Sequence, residues 1–204
     1  MTVPARSITV VQGESGSGKS TLINLLLRFH ATEKGRISIG GIDIGLIPRR
    51  ELREKIGVLS QQHFIFHESL RDNLKIAKPD ANEDEILHAL ERAHLGEIAV
   101  GLPMGIDTKM DPRDKGISAG EKQRICLARL MLRKSPIMIL DEPWSKLGGR
   151  ARRLLAEVLN SCKADATILI LTHELLEDLN VDLFYYLDGT KGVFSMAGSA
   201  PARE

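Results

Sequence analysis

The sequence predicts an α/β domain built on a mostly parallel sheet, with a small antiparallel β part and an inserted α-helical subdomain. Three observations carry this. A glycine-rich loop, Gly13-Glu14-Ser15-Gly16-Ser17-Gly18-Lys19-Ser20, stands between an apolar run and a helical pattern. Residues 137–140 and 166–171 are continuous apolar runs, the character of parallel strands covered on both faces. Residues 68–133 between the two groups of strands carry helical patterning.

The elements follow in order. Ser7-Ile8-Thr9-Val10-Val11 reads as a buried strand running into the loop, and Thr21-Leu22-Ile23-Asn24-Leu25-Leu26-Leu27 as the first turns of a helix reaching about Phe29. Residues 35–41 read as a strand entering a turn, with Ile42-Asp43-Ile44 returning; this is the small antiparallel part. After Pro48 a short polar helix leads to a second buried strand at residues 56–60. In the helical stretch, Asn82 is a good N-cap and Glu85 its capping-box partner. Ile86, Leu87, Leu90 and His94 are expected on one face of that helix. Residues 101–116, with Pro103 and Pro112, are loop-like, and another helix is expected from about Ala119 to Arg133. The division expected is one domain over residues 1–204, with an α/β core at 1–67 and 134–204 and a helical subdomain at 68–133. Residues 197–204 are expected to fray.

Bulk properties narrow the function classes. A chain of 204 residues buries enough surface to need no staples, and a net charge of +1 selects no partner. Basic clusters at Arg49-Arg50-Arg53-Lys55 and Arg150-Arg152-Arg153 read as solvated faces, because acids are interleaved and aromatics are only 4% of the chain. No nucleic acid is expected. Cys126 and Cys162 suggest a reducing compartment, no disulfide framework and no metal-ligand spacing. No apolar run of about 20 residues is present to span a membrane, and no signal-peptide core stands at the N-terminus.

The glycine-rich loop fits G-x-x-x-x-G-K-[ST] in its required setting, after a strand and opening a helix. Backbone wraps phosphate there while the helix N-terminus presents its free N–H groups. Residues 13–20 together with Thr21 are the candidate phosphate-binding set, with Lys19 reaching the β- and γ-phosphates and Ser20 holding Mg²⁺. The apolar run 137–140 ends at Asp141-Glu142, at the sheet edge where such folds bind ligands. Asp141 suits the Mg²⁺ shell, and Glu142 suits orienting and activating water. The other strong strand ends at Thr172-His173. A histidine there is either a strand cap or a donor to the γ-phosphate or water. Ser118 opens a helix with Glu121 three residues on, which is ordinary capping and also a second N-terminus suited to phosphate.

With these motifs in this order, the chain resembles the nucleotide-binding domain of ABC ATPases from about Ser7 to Tyr186, N-terminally short. The resemblance implies a P-loop NTPase core, ATP and Mg²⁺ as ligands, and Gln61 as the glutamine that contacts Mg²⁺. Catalytic roles then fall to Glu142, His173, Lys19 and Gln61, metal contacts to Ser20, Gln61 and Asp141, and a γ-phosphate clamp to Ser118 and Gly120. Phe66, Leu70-Arg71-Asp72-Asn73-Leu74 and residues 102–108 look most like exporters, in which similar segments contact a membrane domain. The implied function is ATP binding and hydrolysis driving export through a separate transmembrane domain, at the cytoplasmic face of a membrane. It works by head-to-tail pairing with a second ATP-binding domain, as a homo- or heterodimer. The alternative is a regulatory module that binds nucleotide with little turnover; a soluble ABC ATPase acting on nucleic acid is a third reading.

The chain also departs from the family pattern. None of the twelve residues before Gly13 is aromatic, so adenine is expected to be held more weakly than usual. Ala119 replaces a glycine and Glu121 a glutamine of the signature. Gly148 stands where a carboxylate helps couple the two sites. Residues 109–115 replace a shorter loop that meets the membrane domain.

Overall fold

The computed structural model describes residues 1–111, 117–145, 147–174, 176–188 and the backbone of 192–196. Strands β1 (Ile8–Gln12), β4 (Ile56–Leu59), β5 (Ile137–Asp141), β6 (Thr167–Thr172), β7 (Leu183–Asp188) and β8 (Gly192–Met196) form one sheet, while β2 (Ser38–Ile39) and β3 (Ile42–Asp43) form a separate antiparallel hairpin. The large sheet runs β4-β5-β6-β1-β7-β8, with its first five strands parallel and β8 antiparallel to β7. Parallel pairing brings the C-terminal ends of β1, β4, β5 and β6 to one edge.

Side-chain alternation explains the continuous apolar runs. Val10, Leu140, Ile168 and Ile170 enter the core cluster on one face of the sheet. Their neighbours Val11, Ile139, Leu169 and Leu171 enter the cluster on the other. A strand buried on both sides has no polar face to display. The first cluster takes in residues of α3 (Leu70–Lys75), α4 (Glu83–Arg92), α5 (Gly96–Gly101), α6 (Ala119–Arg133) and α7 (Gly149–Cys162). The second takes in residues of α1 (Lys19–Leu26) and α2 (Arg49–Lys55).

The expected α6 is present over the residues named for it, and the Asn82–Glu85 capping box closes α4 at its N-terminus. Two expectations need correction. The buried face of α4 is Ile86, Ala89, Leu90 and Ala93, whereas Leu87 and His94 are exposed. Positions i, i+3, i+4 and i+7 keep to one stripe, while i+1 and i+8 stand 80–100° away from it on an α-helix. The second correction concerns β7 and β8, which extend the sheet beyond β1, β7 pairing with β1 and β8 with β7; the sequence reading places no strand after residue 171. Part of the loop expected at 101–116, residues 112–116, and the tail 197–204 lie outside the described residues.

Asp182 ties β1 to the chain entering β7. It accepts from Ile8 N–H at 2.7 Å, its own N–H donates to Ile8 O at 2.9 Å, and Lys163 pairs with its other oxygen. Partial burial pushes the Asp182 carboxyl up, but the Lys163 and Ile8 hydrogen bonds outweigh this and hold it below the usual aspartate value. A depressed carboxylate stabilises the fold above its unfolded pKa of about 3.9 and loses that contribution as pH falls through the folded value. Asp182→Ala is therefore expected to cost about 1 kcal/mol in urea unfolding at pH 7, a modest figure because the pair is a third exposed. The difference from wild type begins to shrink below about pH 4 and narrows further as pH falls through the folded-state value. A constant difference across that range would contradict the assignment.

Candidate functional site

The loop after β1 is shaped by two glycines. At Gly13 a Cβ would collide with Ser17 Oγ and stand 2.7 Å from Leu187 O, so no larger residue fits. Gly18 has φ +102 and caps α1 with no side-chain bond to the helix N-terminus. The first N–H groups of α1, from Lys19 onward, thus face the loop without a capping oxygen, an arrangement that favours an anion. Gly13 N–H donates to Thr172 O at 3.1 Å, fixing the base of the loop against the end of β6.

Lys19 is largely buried, and its ammonium donates to the Gly13 and Glu14 carbonyls. It also stands 3.4 Å from Glu142 Oε1. Glu142 has φ +47, a left-handed backbone that costs a non-glycine residue about 1–2 kcal/mol. The turn is held by a bond from Glu142 N–H to Leu171 O at 2.8 Å. Its other carboxylate oxygen, Oε2, lies 2.7 Å from His173 Nδ1, and Thr172 Oγ1 is 3.2 Å from it. Adjacent strands thus bring Lys19, Glu142 and His173 into one chain of contacts. Asp141, at the end of β5, is half-buried beside them. Desolvation first, and the neighbouring Glu142 charge second, push its carboxyl above the usual aspartate value, while Lys19 opposes them.

These groups open on a cleft of about 750 Å³. Glu14, Ser15, Gly16, Gly18, Lys19, Ser20 and Thr21 line it from the loop and α1. Gln61, Asp141, Glu142 and His173 line it from the ends of β4, β5 and β6. Gly13 and Ser17 of the loop do not line the cleft. The Ser20 hydroxyl, the Gln61 amide and the Asp141 carboxylate are hard oxygen donors suited to Mg²⁺. Among the described residues, no group of three or more His, Cys, Asp or Glu side chains could cage a metal.

Ser118 and Gly120 are not on this cleft. They open α6, where the Ser118 hydroxyl accepts from Glu121 N–H at 3.2 Å and Glu121 bonds back to Ser118 N–H at 2.7 Å. Ala119 is helical and has no positive φ, so alanine is accommodated there. Gln123, one turn on, is buried and donates to Pro143 O, linking α6 to the turn that carries Glu142.

A second surface lies beside Gln61. Phe64 and Phe66 are 65% and 50% exposed. Asn73, fully buried, accepts from Phe66 N–H at 2.9 Å and donates to the Phe66, Glu68 and Ser69 carbonyls. Arg129 donates to Phe64 O at 2.6 Å and to Asn73 Oδ1 at 2.6 Å. Burial lowers the guanidinium's proton affinity, with the Cys126 sulfur acting in the opposite direction. A groove of about 270 Å³ runs past Phe64, Ile76 and Cys126. The exposed residue Phe66 was legible in the sequence, but the Asn73–Arg129 brace beneath it spans 56 positions and has no local signal. Thr172 and Trp144 were likewise not singled out for a role. The indole of Trp144 is fully buried and donates to Glu174 O at 3.1 Å.

A family model described as ABC transporter matches residues 1–145. The chain is 37% identical over 173 residues to a probable ABC transporter ATP-binding/permease protein of Haemophilus influenzae, covering 85% of the chain and 31% of that protein. It is 37% identical over 179 residues to an ATP-dependent lipid A-core flippase of Neisseria gonorrhoeae, covering 88% of the chain and 29% of the flippase. The solved structure of a bacterial Atm1-family ABC exporter with ATP bound superposes with a TM-score of 0.87 at 29% identity, covering 96% of the chain and 34% of the exporter. The chain thus spans about a third of the length of these relatives.

The raised Asp141 carboxyl has a consequence for stability. At pH 7 the fold holds this group ionised in a site that disfavours the charge, a burden the unfolded chain does not carry. Asp141→Asn is expected to raise the thermal midpoint of the nucleotide-free protein at pH 7. The gain shrinks as pH falls through the folded-state and then the unfolded-state pKa. A midpoint below that of wild type at pH 7 would contradict the electrostatic account.

Proposed function

The chain belongs to the ABC transporter family as its ATP-binding part, and on that premise we propose that it binds and hydrolyses ATP to drive export through a transmembrane domain outside these 204 residues. The observation that carries this is the Lys19–Glu142–His173 contact chain at the mouth of a cleft floored by the phosphate loop. Residues 1–204 act as one domain, with the α/β core at 1–67 and 134–204 and the helical subdomain at 68–133.

The loop N–H groups and the N-terminus of α1 receive the phosphates. Phosphate oxygens then compete with Glu142 for the Lys19 ammonium, moving its charge onto the β- and γ-phosphates and freeing Glu142 Oε1. Ser20, Gln61 and Asp141 would hold Mg²⁺, which supplies charge neutralisation on the phosphates. Glu142 orients the attacking water and takes its proton, and His173 holds Glu142 Oε2 and contacts the γ-phosphate. Ser118 and Gly120, lying off their own cleft, meet a γ-phosphate only in a second ATP-binding domain. We assign them to a head-to-tail clamp that ATP closes and hydrolysis releases.

The exposed Phe64–Phe66 surface, braced from beneath, supports docking to a transmembrane partner, with this domain at the cytoplasmic face of the membrane. Among the described residues, no helix is long and apolar enough to cross one. One observation favours a regulatory module with little turnover: Gly148 caps α7 without any side-chain bond, where the family pattern has a coupling carboxylate.

Steady-state ATP turnover separates the two readings. Glu142→Gln is expected to lower kcat by about 10²–10⁴-fold, the usual contribution of a general base. Absence of Glu142-dependent turnover, with or without a membrane partner, would sink the hydrolytic reading. With ATP and Mg²⁺, Glu142→Gln is also expected to elute as a dimer in light-scattering chromatography. Adding Ser118→Ala should return it to monomer, and a dimer that persists would overturn the clamp.

A further inference from the structure

Thr172 is fully buried at the end of β6, and a hydroxyl there needs partners. It accepts from Glu174 N–H at 3.1 Å. Its single proton has two acceptors in reach, Glu174 O at 2.9 Å and Glu142 Oε2 at 3.2 Å. Glu174 O already accepts from the Trp144 indole at 3.1 Å. A carboxylate is also the stronger acceptor, since a bond to an ionised group is roughly twice as strong as one between neutral groups. A carbonyl can accept twice, so it is the charge of the carboxylate that directs the proton to Glu142.

The groups around the Glu142 carboxylate differ in rigidity. Lys19 holds Oε1 and leaves when phosphate arrives. His173 holds Oε2, but its side chain is 51% exposed. Asp141, next in sequence, repels it. Of these side chains Thr172 alone is fixed on a core strand, with its rotamer locked by the Glu174 N–H; the His173 backbone N–H also donates to Oε2, at a longer 3.4 Å. That segment is fixed in turn by the Trp144 indole and by Arg152, which pairs with Glu174 at 2.9 Å.

We propose that Thr172 is a positioning residue for ATP hydrolysis, its hydroxyl holding Oε2 of Glu142 so that the carboxylate stays aimed at the attacking water once Lys19 has moved to the phosphates. This rests on the hydrolytic reading of the site. Thr172 touches neither nucleotide nor water itself. Its removal therefore weakens turnover without weakening nucleotide binding.

The test compares Thr172→Val, Thr172→Ala and Thr172→Ser in the full chain by ATP turnover, by affinity for a fluorescent ATP analogue and by thermal midpoint. Both hydroxyl-free variants are expected to lose about 10- to 100-fold in kcat with KM and affinity within about twofold of wild type, while serine restores most of the loss. In a Glu142→Gln background, Thr172→Val should have no further effect on residual turnover, because the group it positions is gone. Wild-type turnover in both hydroxyl-free variants would overturn the inference and leave the hydrolytic reading standing. So would losses that follow the thermal midpoint, appear equally in affinity and resist rescue by serine. Absence of Glu142-dependent turnover in the wild-type chain would overturn the hydrolytic reading itself, and the role of Thr172 with it.

Discussion

Parallel pairing of β1, β5 and β6 is the constraint on which the site depends. Once Val10 pairs with Ile170 and Leu140 pairs with the same residue from the other side, the ends of the three strands are locked in register. Two backbone bonds carry that register past the strands: Gly13 N–H to Thr172 O, and Glu142 N–H to Leu171 O. The phosphate loop, the carboxylates and the histidine therefore come from positions far apart in sequence, yet none depends on a long flexible segment for its placement. Apolar burial on both faces of these strands is what holds the polar edge together.

The edge concentrates groups that oppose one another. Asp141 and Glu142 are adjacent carboxylates in a half-buried place, and Lys19, which pairs with Glu142, offsets the charge of both. A buried ion pair of this kind adds little net stability, because desolvation offsets attraction. Its value lies in being exchangeable. On the proposed reading, phosphate would bring negative charge to Lys19 and a divalent cation to the carboxylates, so that each group trades one partner for another. The left-handed backbone of Glu142 belongs to the same arrangement: strain accepted at a strand end turns the carboxylate toward β6.

Much of this was readable from local pattern. The phosphate loop, the acids after 137–140, the capping boxes at Asn82 and Ser118 and the extent of α6 all depend on spacing within a few residues. What was not readable depends on distant partners. The buried stripe of α4 is decided by what packs against it, which is why Ala89 and Ala93 are inside and Leu87 is out. The aromatic run Phe184-Tyr185-Tyr186 in β7 was a signal for a strand, but it follows a polar stretch that obscured it. The Gln123–Pro143, Arg129–Asn73 and Thr172–Glu142 contacts join residues 20 to 56 positions apart, and no periodicity encodes them.

The same distinction bears on Gly148. By sequence, its missing carboxylate reads as a loss of coupling. The structure shows how the loop before α7 is held instead: Arg152, inside the helix, donates to Leu147 O at 3.0 Å and reaches Glu174. Glu174 is the residue whose backbone locks Thr172 and whose neighbour is His173. The loop therefore remains mechanically connected, within one chain, to the groups around Glu142. A carboxylate at position 148 would add an anion at the N-terminus of α7 and a contact outward, and it would not replace this inner link. On the proposed reading the departure bears on what passes between two copies, and the contacts of Thr172 and His173 with Glu142 within one copy do not depend on it.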